Sequence, residues 1–128
     1  MAECNVTIGV DVVDLGSEIN KRIRFSTTND PEAIQSGYGT VATANTMQTL
    51  DLGQVAASLV DMIYIKAIAN NVYVSPGSVA STGPLLKIPA GEACAFRPYF
   101  TGAVAVSVGI TADTSETAYE YLVVGQSS

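Results

Sequence analysis

The sequence predicts a single-domain, all-β protein that folds as an antiparallel β-sandwich, jelly-roll-like, with about eight strands. Three observations predict this class. Short apolar runs alternate with small or polar residues, each run stops at a cluster of Gly, Pro, Asp or Ser, and no segment has the period of a long helix. The pattern is clearest in Leu85–Gly125, which reads as a β-meander. At 128 residues the chain has the usual size of one domain, so residues 1–128 are assigned to one sandwich.

An immunoglobulin-like sandwich is the alternative architecture. The chain has no Trp, and its two Cys residues lack the spacing of true immunoglobulin domains. Many sandwiches lack both features, so the alternative stays open behind the jelly roll.

The first two strands are predicted at residues 3–13 and 18–27, joined by a turn at residues 14–17. The apolar face of the first strand contains Cys4, Val6, Ile8, Val10 and Val12. In the second strand, Ile19, Ile23 and Phe25 lie on the same face. Lys21 interrupts that second face, which predicts a position near a sheet edge or a strand end.

Residues 28–40 form the least regular stretch. Pro31 follows Asp30, a pair that suits the first position and the cap of a single helical turn. Gly37 and Gly39 flank Tyr38, which we interpret as an exposed aromatic on a flexible loop. The loop Asn29–Thr40 and the chain start before Cys4 are therefore the predicted partner contacts.

The middle of the chain predicts extended structure at residues 41–50 and a turn at residues 50–53. Residues 54–59 suit either a helix or a strand, because the run is short. Strands are predicted at residues 61–69 and 72–75, joined by Asn70 and Asn71 as a two-residue hairpin turn, because Asn tolerates positive φ. Residues 77–84 are a loop of small residues.

The C-terminal third predicts strands at Leu85–Ile88, Ala93–Phe96, Ala103–Thr111 and Thr117–Val124. Pro89–Glu92 forms a tight turn. In the third of these strands, one face contains Val104, Val106, Val108 and Ile110 and faces the core. The other contains Ala103, Ala105, Ser107 and Gly109, a smooth outer face that another subunit could cover.

The net charge of −6 argues against nucleic-acid binding, which needs clustered basic side chains. The one basic cluster contains Lys21, Arg22 and Arg24. In a strand, Arg22 and Arg24 share a face while Lys21 lies on the other. This face is either solvated or contacts an acidic partner.

Residues 1–15 lack the pattern of a secretory signal, and no stretch reaches the ~20 apolar residues of a membrane span. We therefore expect synthesis in the cytoplasm and no membrane partner. Cys4 and Cys94 could pair only on neighbouring strands. Two free, mostly buried thiols are favoured.

The chain has no His, which excludes the usual His-dependent nucleophilic and metal chemistry. Paired carboxylates remain, but most acids lie in predicted turns. The turn Asp113–Glu116 has oxygen ligands for calcium, although a plain polar turn is favoured. We expect a protein that is not an enzyme and has no cofactor. A carbohydrate-binding module is the alternative, with Tyr38 and Tyr99 as loop-borne rings.

Two local pieces carry a family resemblance. One is Ile88–Glu92 entering a short strand that ends at Phe96-Arg97, and the other is the Tyr-rich ending Ala118–Gly125. Over roughly residues 60–125, this resembles small jelly-roll virion accessory proteins of tailed bacteriophages, of the capsid-decoration, head-fibre or tail-accessory type.

The resemblance implies a structural virion protein that binds the capsid surface through protein–protein contacts, with tail attachment as the alternative. It implies a capsid or tail protein as the partner and a homo-oligomer, with a trimer favoured. Localisation would be the virion. The candidate partner-binding residues are Tyr38, Arg22, Arg24 and Tyr99.

Overall fold

The computed structural model describes residues 3–13, 16, 19–26, 33–75, 86–97 and 108–127. These ranges form ten strands and one 3₁₀ turn, at Ala57–Leu59. The strands are β1 (Asn5–Val12), β2 (Ile19–Ser26), β3 (Ala33–Val41), β4 (Gln48–Thr49), β5 (Val60–Ala67), β6 (Val72–Ser75), β7 (Leu86–Ile88), β8 (Ala93–Phe96), β9 (Gly109–Thr111) and β10 (Thr117–Gly125). The predicted all-β class is confirmed.

The strands form three antiparallel sheets. Sheet I has the order β3-β10-β5-β8, and sheet II has the order β4-β9-β6-β7. The hairpin β1–β2 forms a separate two-stranded sheet, which we call the arm.

A single core lies between sheets I and II. Sheet I contributes alternate side chains of β5 and β10, and sheet II contributes alternate side chains of β6 with residues of β7 and β9. The buried residues are Ile63, Ile65, Tyr119, Tyr121 and Val123 from sheet I and Val72, Val74, Ile88 and Ile110 from sheet II. The two inner faces therefore pack as in an antiparallel β-sandwich.

The predicted β-meander is wrong in its pairing. Pro89–Glu92 does form the expected tight turn: the Glu92 N–H donates to the Pro89 carbonyl at 3.0 Å, and Gly91 has φ 82°. However, β7 pairs with β6 in sheet II, whereas β8 pairs with β5 in sheet I. The turn therefore leads from one sheet to the other.

The predicted hairpin at Asn70 and Asn71 is wrong for the same reason, because β5 and β6 lie in different sheets. Among the described residues other than Gly, positive φ occurs at Asn45 and Glu116 and at neither of these. The side-chain oxygen of Asn71 instead accepts a hydrogen bond from the Ala90 N–H at 3.1 Å. That bond ties two connections between the sheets to each other.

The flexible loop predicted around Tyr38 is wrong where the structure describes it, because residues 33–41 are strand β3. Residues 29–32 lie outside the described part. Gly37 and Gly39 are opposite Tyr121 and Tyr119 of β10. A β-carbon at Gly39 would overlap the Tyr119 ring, so glycine here makes room for a core side chain.

The remaining local predictions have different outcomes. Within the predicted extended stretch 41–50, Val41 is the last residue of β3 and Gln48–Thr49 forms β4. Residues 54–59, whose sequence suits either a helix or a strand, end in the 3₁₀ turn. The turn at residues 50–53 is confirmed: Gly53 has φ 58°, and its N–H donates to the Asp51 carboxylate at 2.9 Å.

The strand predicted at Ala103–Thr111 lies partly outside the described residues. Val108 and Ile110 are buried in the core, as predicted. Gly109 is buried as well, so it is not part of an open outer face. Val104, Val106, Ala103, Ala105 and Ser107 lie in the undescribed stretch, as does Tyr99.

Candidate functional site: the arm and the groove beside it

The arm has one apolar and one polar face. β1 and β2 pair without interruption from Asn5 opposite Ser26 to Val12 opposite Ile19. The apolar face brings together Val6 with Phe25, Ile8 with Ile23, and Val10 with Lys21. The predicted faces are confirmed for Val6, Ile8 and Val10 and for Ile23 and Phe25, and Lys21 interrupts the second face as predicted. The side chains of Val12 and Ile19 lie outside the described part.

The apolar face is covered at one end and open at the other. Cys4, Val6 and Phe25 are half-buried. Further along the arm, Ile8 is 48% exposed, Val10 51% and Ile23 57%. The open end therefore presents β-branched side chains that the described part of the chain does not cover.

A groove of about 610 Å³ separates the arm from the outer face of sheet I. Residues 4–9 line one wall of this arm groove. The other wall is apolar and comes from alternate residues of β5, β8 and β10: Met62, Tyr64, Ala93, Ala95, Leu122 and Val124. Two apolar surfaces therefore face each other across an open space.

Tyr38 lies beside the same surface. A hollow of about 270 Å³ is lined by Ser36, Tyr38, Tyr64, Glu120 and Leu122. Tyr64 and Leu122 line both this hollow and the arm groove. Tyr38 is 76% exposed, so the prediction of an exposed aromatic ring is confirmed, although the ring stands on a strand.

The two arginines lie on the opposite face of the arm. Arg22 and Arg24 alternate with Ile23 and therefore point away from the apolar face. Arg22 forms an ion pair with Asp11 at 3.5 Å, with side chains 68% and 52% exposed. Such an exposed pair contributes at most about 1 kcal/mol to stability. The structure therefore separates Arg22 and Arg24 from the surface that holds Tyr38.

Sequence reasoning missed the open apolar residues Ile8, Val10 and Ile23 as a candidate surface. Alternation in β1 looks the same whether its apolar face meets a core or solvent. The available signal was Lys21, because a charged side chain in an apolar face indicates that the face is not fully buried.

Both thiols are free, as predicted, and both are half-buried and line the arm groove. Burial raises the pKa of the Cys94 thiol. Burial also raises the pKa of Cys4; nearby Asp61 adds to the increase, and Arg97 opposes it. The thiols therefore stay protonated at neutral pH and are weak nucleophiles.

The acidic turn Asp113–Glu116 is built from internal hydrogen bonds. The Asp113 carboxylate accepts bonds from Tyr73 and Thr114, each at 3.3 Å. The Thr117 hydroxyl donates to the Thr114 carbonyl at 2.6 Å. These contacts show that the Asp113 carboxylate stabilises a polar turn. In the described ranges, no group of three or more Cys, Asp or Glu residues is arranged to hold a metal ion.

No family model matches the chain, and neither the curated proteins nor the solved structures include a significantly similar one. Within the described residues, no helix has the length and apolar character to cross a bilayer. The site must therefore be interpreted from its own geometry.

Proposed function

We propose that this protein is a structural subunit that attaches to a larger protein assembly through its arm. The observation that carries this proposal is the half-open apolar face of β1–β2. On sequence resemblance, the assembly is a tailed-phage virion, with the capsid surface ahead of the tail.

The energetics of the arm support a docking role. A two-stranded hairpin is marginal in water by itself. This one nevertheless exposes Ile8, Val10 and Ile23, together with Val13 at 63%. A clustered apolar patch of this kind marks an interaction surface, whereas single exposed apolar residues do not. Burying it against a partner removes apolar area from water and orders the hairpin.

The charges of the arm suggest the character of the partner. β2 has Lys21, Arg22 and Arg24 and no acidic residue, whereas the chain as a whole has net charge −6. Of these, Lys21 shares the apolar face, opposite Val10, so a surface with an apolar depression and a carboxylate near Lys21 would complement the arm. The basic strand would also orient the negatively charged subunit as it approaches.

The strand order supports a jelly roll as the scaffold. Counted along β3–β10, the first, third, sixth and eighth strands form sheet I, and the other four form sheet II. Apart from β6–β7, every consecutive pair lies in different sheets. We infer two intertwined Greek keys, the arrangement that defines a jelly roll. Such a scaffold leaves the arm as an appendage outside the core.

The test is co-sedimentation with shells of the virion whose genome encodes the chain, stripped of this protein. Ile8→Ser and Ile23→Ser should each weaken binding about tenfold or more, the effect of losing about 1.4 kcal/mol. The control is Asn20→Ser, at an exposed position on the polar face of β2, opposite Asp11 and outside the groove, which should bind like the wild type. Equal binding by all four proteins, or no binding by the wild type, would overturn the proposal.

Carbohydrate binding is the second candidate, favoured by the exposed Tyr38 ring beside Ser36 and Glu120. A ring next to a hydroxyl and a carboxylate provides stacking and hydrogen bonds for a sugar. Titration with a panel of bacterial surface polysaccharides tests it. Binding that is lost in Tyr38→Ala, by a protein that ignores the stripped shells, would establish this candidate in place of attachment.

A further inference from the structure

We propose that the free edge of β3 pairs with β3 of a second copy, antiparallel about a two-fold axis at Ser36. The two sheets I would then form one continuous sheet across the pair. This association uses a different surface from the arm, so it goes beyond attachment and can fail independently of it.

The structure leaves one edge of β3 open among the described residues. β3 is the terminal strand of sheet I and pairs with β10 along its whole length, from Ala33 to Val41. On the β5 side of β10, the Ala118 carbonyl accepts a bond from Ile68 at 3.4 Å. In a strand, each residue directs its N–H and C=O to one side. Ala118 therefore directs its N–H and C=O towards β5 and forms no backbone hydrogen bond with Thr40, the residue opposite it on β3. Thr40 accordingly directs its own N–H and C=O away from β10, to the open edge.

The same alternation applies every second residue along β3. Ile34, Ser36 and Tyr38 share the phase of Thr40 and also direct their N–H and C=O groups outward. The Thr40 carbonyl accepts a bond from Gln48 Nε2 at 3.1 Å, which closes this end of the edge. The free row is therefore Ile34, Ser36 and Tyr38.

This edge lacks the usual protection against pairing. Edge strands are normally short, charged, bulged or interrupted by Pro. β3 has nine residues, AIQSGYGTV, with no charge and no Pro, and its register with β10 has no shift. By contrast, the edge strands of sheet II have two and three residues, and β8 has four. β3 is the one long, uncharged edge among the described strands.

A second copy fits this edge because the free row is symmetric. With the axis at Ser36, Ile34 lies opposite Tyr38 of the other copy, and Ser36 lies opposite Ser36. Each such pair can exchange two hydrogen bonds. Tyr38 and Ile34 are 76% and 64% exposed and would form an aromatic–β-branched pair on each side of the axis, a favourable cross-strand combination.

Electrostatics also favour β3 over the rest of the surface for self-association. Two copies with net charge −6 repel each other. The residue at a two-fold axis lies opposite its own equivalent and its neighbours lie close to theirs, so charges of one sign near the axis would repel each other. β3 avoids this. The arm strands do not, since they include Asp11, Lys21, Arg22 and Arg24.

The experiment is light scattering over a wide concentration range with three variants at the axis. The wild type and Ser36→Ala should dimerise with the same dissociation constant, because Ala keeps the backbone N–H. Ser36→Pro removes an outward N–H that sheet I does not use, and Ser36→Lys places two like charges at the axis. Both should raise the dissociation constant about tenfold or more. Ser36→Lys keeps the test valid if the Pro variant does not fold.

Hydrogen exchange provides the positional test. In the concentrated wild type, the amides of Ile34, Ser36 and Tyr38 should be protected, and dilution should expose them. The amides of Gln35, Gly37 and Gly39 point into sheet I and should be protected at both concentrations. A strict monomer, a trimer, or a dimer unaffected by Ser36→Lys would overturn the proposal. Ile8→Ser should leave the dimer intact, which separates this outcome from failure of attachment.

Discussion

At the scale of single residues, the tightest constraint is the contact between Gly39 and Tyr119. The Tyr119 ring is 4% exposed, and its hydroxyl accepts a bond from Gln48 Nε2 at 3.3 Å. Tyr121 lies beside it, with ring centroids 6.0 Å apart, and accepts a bond from Gln35 Nε2 at 3.2 Å. The two tyrosines are thus fixed at both ends, and β3 must leave space for their rings.

We expect Gly39→Ala to lower the free energy of unfolding by about 1–3 kcal/mol, because the new methyl overlaps a ring that cannot move aside. Gly37→Ala is the matched control on the same strand and face. Its β-carbon would lie 3.9 Å from the Tyr121 ring, an ordinary contact, so the change should stay within about 1 kcal/mol. Urea unfolding measures both. Equal effects of the two substitutions would contradict this account.

The Cys94 thiol makes a second residue-level prediction, on pH. Burial raises its pKa in the folded state, so the folded protein holds this proton at a pH where the unfolded chain has lost it. The corresponding stability is fully present below the ordinary thiol pKa of about 8.5 and is lost as the pH rises through the folded value.

The stability difference between the wild type and Cys94→Ala should therefore shrink as the pH is raised above about 8.5. Burial is also the main cause of a raised pKa at Tyr119, so ionisation of Tyr119 destabilises the folded protein at high pH as well. Both proteins contain Tyr119, so its contribution cancels in the stability difference. Urea unfolding at a series of alkaline pH values measures the difference. A difference independent of pH would show that the thiol is not shielded from water.

At the scale of elements, the arm and the sandwich divide the described chain into two parts. The core contains residues of β3, β5–β7, β9 and β10 together with their connections, and none of the described side chains of β1 or β2. We expect a chain beginning at residue 27 to unfold cooperatively in urea. Its stability should be lower by about 2–4 kcal/mol, because Met62 and Val124 lose the cover of the arm.

Phe25→Ala in the full chain is the control for that truncation, since it removes one half-buried contact of the arm and keeps the rest. It should lower stability by less than the truncation does. A truncated chain with no cooperative transition would show that the arm is part of the folding unit.

The existence of most strands could be predicted from the sequence, but their partners could not. Apolar alternation locates β1, β2, β5 and β10 to within a few residues, because a half-buried strand needs that period. It does not record which neighbour a strand pairs with. Pro89–Glu92 has the same local conformation whether the next strand stays in its sheet or crosses to the other.

The candidate site was less predictable than the fold for a related reason. Gly37-Tyr38-Gly39 has the composition of a loop, and only the position of Tyr119 and Tyr121 across the strand explains the glycines. Likewise, Ile8 and Ile23 match core residues in pattern, and their exposure depends on where the arm lies. Both features are set by contacts distant in sequence.

At the scale of the whole molecule, charge and surface chemistry are in tension. The chain has 12 acidic and 6 basic residues, so copies repel each other, yet the open apolar face of the arm and the uncharged edge of β3 favour contact. Paired β3 strands involve backbone hydrogen bonds and uncharged side chains. Salt should therefore act on the dimer mainly by screening the repulsion between whole subunits.

We accordingly expect the wild-type dimer to tighten as salt is raised. The Debye length falls from about 30 Å at 0.01 M salt to about 10 Å at 0.1 M. Most of the repulsion between subunits that meet at an uncharged edge is then screened. Sedimentation at a series of NaCl concentrations measures the dissociation constant, which should fall several-fold. Lowering the pH towards the isoelectric point of about 4.3 that the composition gives should have the same effect, because the net negative charge of each subunit falls towards zero. The opposite trend, dissociation by salt, would indicate ion pairs at the interface. The basic strand β2 against an acidic turn of the neighbouring copy would then replace β3 as the contact.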